Sequence, residues 1–263
     1  MTTFDDLFEA LRGACDPRRQ KCLATYFGDG AHRSGRKSAY PGLTAVAARR
    51  VALRFAGELR DTDLRRLLAS DVDEHRYVAL EMLVRKYETG RPDDRERIAK
   101  FYVRNLRFVD HWVLVDTSAP YVLGAHLSNR PRTILFDLAS SQDPMMRRIS
   151  IIATAAFIRA GDFDDTLRIA ELLLSDDHPL IHRAVGWMLR EVGKRSRPTL
   201  IGFLDRHTQS MPRLMLRYCI DQLPEGYKKR FLRFQTVRRA PGSRTSLRRT
   251  PDLSTGHPRR RRA

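Results

Sequence analysis

The sequence predicts an all-α protein, built as an α-solenoid of HEAT-like two-helix repeats that form a curved superhelix with a basic concave groove. Three observations carry this prediction. Apolar residues recur at helical spacing, short polar connectors separate the apolar stretches, and a weak repeat of about 35 residues runs along the chain. No segment alternates convincingly like a strand. With 263 residues, 42% of them hydrophobic, the chain is long enough to bury a large core.

The helical spacing begins at the N-terminus, with Phe4, Leu7, Phe8 and Leu11. Further helices are predicted at roughly 43–59, 73–88, 93–106, 111–127, 144–160, 163–174, 178–192, 197–207, 212–222 and 225–232. Connectors such as "ETGRPDD", "SSQDP" and "LSDDHP" carry the Asp, Ser, Gly and Pro residues that begin and end helices. Because these connectors are short, consecutive helices are expected to pack antiparallel.

The repeat becomes visible when five segments are aligned: "HRYVALEML", "HWVLVDTSA", "RRISIIATA", "HRAVGWMLR" and "LRYCIDQLP". The second residues of these segments are Arg76, Trp112, Arg148, Arg183 and Arg217. Successive members of this set are 36, 36, 35 and 34 positions apart. Four residues further on, the segments read Leu80, Asp116, Ile152, Trp187 and Asp221. Equivalent positions of a solenoid line one continuous surface, so the two tryptophans, Asp116 and Arg148 are expected to converge on one groove.

Charge divides the chain into two parts. The formal net charge is +18, which favours a polyanionic partner such as nucleic acid. From Arg233 onwards the sequence holds ten arginines and one aspartate, with almost nothing apolar. We therefore predict a folded domain over residues 1–232 and an Arg-rich, disordered tail over 233–263.

Cysteine usage and hydropathy bear on the cellular compartment. Three cysteines without a C-x-x-C pair suit a reducing environment. The N-terminus "MTTFDDLFEALRGAC" does not resemble a signal peptide, and the most apolar run, "ISIIATAAFI", is too short to cross a bilayer. We expect a cytoplasmic protein that does not engage a membrane and is monomeric.

Trp112 and Asp116 are candidate site residues because a spacing of four places both on one side of a helix. Asp116 stands among apolar residues, where an unpaired carboxylate would be costly to bury. The main structural alternative is a salt bridge between Asp116 and Arg148. Arg148 and Arg190 are also candidates for binding phosphates, whereas Arg183 is expected to bond a loop aspartate of a neighbouring repeat.

No metal or cofactor is predicted. His178 and His182 stand four apart, but Pro179 places His178 at a helix start, and no third ligand is evident. Motifs for nucleotide phosphates, zinc proteases and serine hydrolases are absent from the sequence, so those chemistries lack support.

Four motifs resemble one known family, the DNA alkylation repair glycosylases of the AlkD type. They are "DHWVLVDTSAP", "DPMMRRISIIATAAFIRAG", "HPLIHRAVGWMLREVGK" and "MPRLMLRYCIDQLPE", within residues 70–225. The resemblance implies that alkylated purines are excised from double-stranded DNA by cleavage of the N-glycosidic bond. It also implies that Asp116 is the catalytic acid residue, that Trp112 and Trp187 are groove aromatics, and that Arg148 contacts DNA. Tyr26 loosely matches an aromatic residue near the family's N-terminus.

A purine alkylated at N3 or N7 is already cationic and leaves without being protonated, so one carboxylate can suffice. In this hypothesis Asp116 stabilises the oxocarbenium-like sugar, and both tryptophans flank the lesion. The alternative is a non-catalytic HEAT-like scaffold that binds protein or nucleic acid, including branched or otherwise unusual DNA.

Overall fold

The structure is a computed structural model that describes residues 4–28 and 38–236. Within these ranges every regular element is helical and there is no strand, which confirms the all-α prediction. None of the described helices is both long and apolar enough to cross a membrane. The predicted tail begins inside the last helix, which ends at Thr236, and the rest of it lies outside the described residues.

The helices are α1 (Phe4–Gly13), α2 (Leu23–Phe27), α3 (Ala45–Phe55), α4 (Asp61–Leu68), α5 (Asp73–Thr89), α6 (Pro92–Arg104), α7 (Trp112–Ser118), α8 (Thr133–Ala139), α9 (Pro144–Ala153), α10 (Ala155–Ala160), α11 (Asp164–Leu172), α12 (Pro179–Arg195), α13 (Arg197–His207), α14 (Arg213–Ile220) and α15 (Glu225–Thr236). Short 3-10 turns occur at Leu106–Phe108 and Leu127–Asn129, and a π-helical turn at Pro120–Gly124.

Six helices form a row in which each contacts the next: α3, α5, α7, α9, α12 and α14. Helices α4, α6, α8, α11, α13 and α15 pack against members of this row as a second layer. The five aligned segments of the sequence fall on five helices of the row, α5, α7, α9, α12 and α14, although the last segment extends beyond the end of α14 at Ile220. This two-layer arrangement of repeated units confirms the α-solenoid.

Proline and its preceding residue define the starts of α9 and α12. The Asp143 carboxylate accepts a hydrogen bond from the Met145 N–H at 2.8 Å, just before α9. His178 precedes Pro179 and accepts from the Leu180 N–H at 3.2 Å through Nδ1, so it caps α12 as the sequence predicts. Proline is tolerated at the first helical position because its missing N–H would have no partner there.

The helix predicted over 111–127 is interrupted. After Ser118 the chain enters the π-helical turn, closed by a 2.8 Å hydrogen bond from the Gly124 N–H to the Ala119 carbonyl oxygen. Pro120 has no N–H with which to continue the α-helical ladder. A Cβ on Gly124 would lie 2.1 Å from the Ala153 carbonyl oxygen, so only glycine allows the turn to approach α9 this closely.

Three helices, α2, α4 and α8, were not predicted from the sequence. They are short, at five, eight and seven residues, and therefore display few turns of the apolar pattern.

Candidate functional site

Helix α7 carries both residues of the W-x-x-x-D motif. Trp112 is its first residue and is half-buried, while Asp116 follows one turn later and is only 6% exposed. The spacing places the indole and the carboxylate on one side of the helix, as predicted. The aromatic residue thus lies nearer to solvent, with the acid deeper in the protein.

Asp116 is held by Arg148, which projects from the neighbouring helix α9. Arg148 donates from Nε to Oδ1 at 2.9 Å and from Nη2 to Oδ2 at 2.7 Å, and its Nη1 donates to the Leu180 carbonyl oxygen at 2.7 Å. The two side chains are almost entirely buried. A bidentate guanidinium favours the ionised carboxylate and fixes its orientation. The salt bridge weighed as the structural alternative for Asp116 is therefore present.

Tyr26 joins this site from the N-terminal part of the chain. Its ring lies edge-on to Trp112, with ring centroids 6.3 Å apart and planes 88° apart. Such an edge-to-face geometry is favourable because the ring edge carries partial positive charge and the indole face partial negative charge. Helix α2 thereby adds a second half-buried aromatic residue beside the first residue of α7.

Trp187 and Arg190 lie on α12, two helices along the row from α7. Trp187 is half-buried. The structure places Arg190 in an ion pair, with its Nη1 3.3 Å from Asp221 Oδ2 and its side chain 13% exposed. Arg148 connects the two parts of the candidate site, because it bonds to α7 on one side and to the first turn of α12 on the other.

Arginines bridge the repeats at other points too. The Arg76 guanidinium bonds to Asp110 in the loop before α7, and Arg147 donates to Asp176 before α12 at 2.6 Å. Part of the basic composition is therefore used for internal ion pairs rather than for a partner. Arg183, for which such a bond was expected, has a buried Nε with no hydrogen-bond partner among the described residues.

Reasoning from the sequence missed His111, which is fully buried immediately before Trp112. Its Nδ1 caps α7, and its ring contacts both Phe27 and Trp112. The available signal was its position directly before the first turn of a predicted helix. Helix caps are usually Ser, Thr, Asp or Asn, so the residue type of His111 does not by itself predict a cap.

Comparison with known proteins identifies the chain's relatives. A family model described as DNA alkylation repair enzyme matches residues 7–223. A solved structure described as a predicted DNA alkylation repair enzyme from Enterococcus faecalis is similar, with a TM-score of 0.57 and 14% sequence identity, over 80% of this chain and 100% of that one. At that identity it supports the fold alone. None of the curated proteins matches the chain significantly. The family match spans the described site from Tyr26 to Asp221 and confirms the resemblance seen in the motifs: the chain belongs to the DNA alkylation repair enzyme family.

Proposed function

We propose that this protein is a DNA glycosylase that excises cationic N3- and N7-alkylated purines from double-stranded DNA by hydrolysing the N-glycosidic bond. One observation carries the proposal: α7 presents a half-buried Trp112 beside an oriented carboxylate, Asp116, and Tyr26 lies edge-on to that tryptophan. Membership of the DNA alkylation repair family supports the choice of DNA as substrate.

The chemistry requires little from the protein because the lesion supplies its own activation. As the bond between the sugar C1′ and the purine nitrogen breaks, its electron pair passes to the base and neutralises the base's positive charge. The sugar is left as an oxocarbenium ion, to which water adds at C1′ before it releases a proton. Asp116 would stabilise the developing positive charge on the sugar and orient the water.

Arg148 has two opposing effects on such a carboxylate. It offsets part of the negative charge of Asp116, yet it also fixes both oxygens in place before the substrate arrives. Electrostatic stabilisation depends on groups that need not reorganise during the reaction. We therefore assign Arg148 to orienting Asp116 in this mechanism, because its buried guanidinium donates to Asp116 and to Leu180 rather than facing a partner.

The aromatic residues would recognise the charge of the lesion. A cation near an indole face is attracted by the electrons of the ring, an interaction that strengthens when water is excluded. Trp112 and Trp187 would flank the damaged nucleotide, with Tyr26 packed against Trp112. Arg190 is assigned to a DNA phosphate, for which it would have to exchange its ion pair with Asp221.

The experiment is release of N7-methylguanine from a methylated duplex, comparing the wild type with Asp116→Asn. We expect the variant to be slower by about 100-fold or more, the scale on which preorganised electrostatic groups act. Asp137→Asn is the matched control, because Asp137 is exposed on α8, and it should behave as wild type. Equal release by Asp116→Asn and wild type, with both proteins folded, would contradict the assignment of Asp116.

One observation favours a second candidate, a non-catalytic scaffold that binds nucleic acid. A purely structural ion pair would show the same burial and bidentate geometry that Asp116 and Arg148 show. The same assay separates the two functions: a scaffold would bind the methylated duplex and release no base.

A further inference from the structure

We propose that His111 is a positioning residue for excision, which orients Trp112 and Asp116 through the first turn of α7. The expected effect on base excision rests on the proposed glycosylase function. The positioning itself is argued from the contacts of His111 with its neighbours. His111 is fully buried and reaches no part of the exposed surface. It would therefore act through its neighbours and not on the DNA.

His111 accepts hydrogen bonds from three N–H groups of the helix, one through its side chain and two through its backbone carbonyl. Its Nδ1 accepts from the Val113 N–H at 3.3 Å. Its carbonyl oxygen accepts from the N–H groups of Leu114 and Val115, at 3.0 and 3.1 Å. Helix α7 has only seven residues, so these three bonds are a large share of what fixes its direction and its rotation about its axis.

The same imidazole ring is packed between two aromatic residues. Its centroid lies 4.9 Å from that of Phe27 and 5.6 Å from that of Trp112, with the planes tilted by 43° and 38°. Phe27 follows Tyr26 in α2, and Tyr26 in turn lies edge-on to Trp112. Three ring contacts thus connect Tyr26, Trp112, His111 and Phe27 in a chain, in which the indole of Trp112 is restrained by both Tyr26 and His111.

Histidine can both cap the helix and pack a ring against its aromatic neighbours. Asparagine or serine would cap the helix but would leave no ring against Phe27 and Trp112. Phenylalanine would fill the space but offers no acceptor to the Val113 N–H. His111 therefore couples the orientation of the indole to that of the helix carrying Asp116. A change in either contact is expected to misalign both groups.

Two variants separate the two contacts. His111→Asn keeps a capping oxygen and loses the ring, whereas His111→Phe keeps a ring and loses the cap. We expect each to lower the single-turnover rate of N7-methylguanine release by about 10-fold or more, since small misplacements of reacting groups cost this much. The dissociation constant for the same duplex should stay within about 2-fold, because His111 touches no DNA.

Ser196 provides a control. Its hydroxyl caps α13 by accepting from the Thr199 N–H at 3.4 Å, and α13 carries no residue of the proposed site. Ser196→Ala should lose a helix cap and keep a rate within about 2-fold of wild type. If it lowers the rate as much as His111→Phe does, loss of any helix cap explains the effect, and the proposal is wrong.

A spectroscopic measurement does not depend on catalysis. The chain contains two tryptophans, so in a Trp187→Phe background the fluorescence reports on Trp112 alone. We expect His111→Asn to shift the emission of Trp112 to longer wavelength and to increase its quenching by acrylamide, while Ser196→Ala leaves both unchanged. If the wild type releases no base, the proposed function fails, and this emission still decides whether His111 positions Trp112. An unchanged spectrum together with an unchanged rate in a folded His111→Asn protein would overturn the inference.

Discussion

Arg148 bonds to both carboxylate oxygens of Asp116 and thereby ties α9 to α7 in the middle of the row. Its third bond, to the Leu180 carbonyl oxygen, extends the connection to α12. One buried guanidinium therefore fixes the relation between the helix of Trp112 and the helix of Trp187. The pair therefore fixes the orientation of the carboxylate in the candidate site.

Removal of the guanidinium should destabilise the fold strongly. Arg148→Ala leaves Asp116 buried beside an empty space, and we expect the free energy of unfolding in urea to fall by about 3–5 kcal/mol. Arg230→Ala is the control, because the Arg230–Asp205 pair is 2.6 Å long but about half exposed and should contribute only about 0–1 kcal/mol. Similar losses in the two variants would show that burial of the Asp116 pair has no energetic consequence.

The ring of Tyr26 contacts Trp112 in an edge-to-face arrangement. Tyr26→Phe should therefore release N7-methylguanine within about 3-fold of wild type, since the edge-to-face contact is kept. Tyr26→Ala removes a contact of about 0.5–1.5 kcal/mol and should slow release further than Tyr26→Phe does. Equally slow release by the two variants would assign the role to the hydroxyl group instead.

Gly186 allows α12 to pack closely against α14. A Cβ at this position would lie 2.5 Å from the Met215 carbonyl oxygen and 2.6 Å from Tyr218 Cβ, so Gly186→Ala forces the helices apart. We expect a loss of about 1–3 kcal/mol in urea unfolding. Gly202→Ala on α13 meets nothing within 4 Å and should instead gain about 0.5–1 kcal/mol from helix propensity. A stabilised Gly186→Ala protein would contradict the close packing.

His75 should make stability depend on pH below neutrality. Burial lowers its pKa from 6.5 to about 4, and the neutral ring bonds to the Tyr40 hydroxyl at 2.8 Å and to the Ser70 hydroxyl at 3.0 Å. The unfolded chain binds the proton more readily than the folded one, so stability is fully present above about pH 6.5 and is lost as pH falls towards 4. With allowance for partial solvent screening, the loss is about 2 kcal/mol.

The measurement is the urea midpoint of wild type and His75→Gln between pH 7 and pH 4. The variant carries no titrating ring, so its midpoint should fall less steeply than that of wild type over this interval. Parallel curves would indicate that other groups cause the pH dependence.

The sequence predicted those parts of the fold that repeat. The spacing from Arg76 to Arg217 identified five helices of the row, because every repeat must bury the same side of its helix. It also placed Trp112 and Asp116 together, since both lie on one helix. The Asp116–Arg148 salt bridge could be predicted as the structural alternative to a catalytic Asp116. A buried carboxylate needs a cation, and the repeat alignment placed Arg148 nearby.

Contacts between elements that do not follow the repeat could not be predicted in this way. Tyr26 and Phe27 belong to a five-residue helix outside the period, and nothing in the local pattern specifies that they reach α7. The interruption after Ser118 depends on how closely Gly124 approaches Ala153, which is a property of the packed helices and not of either segment.

The ion pairs between repeats have a mechanical consequence. Arg76 with Asp110, Arg148 with Asp116 and Arg190 with Asp221 each join one unit to the next, so flexing the solenoid at any of these joints stretches a charged hydrogen bond. These pairs therefore resist changes in the orientation of one unit relative to the next. In the proposed complex with damaged DNA, we expect the duplex to supply most of the deformation, above all where damage has weakened base stacking.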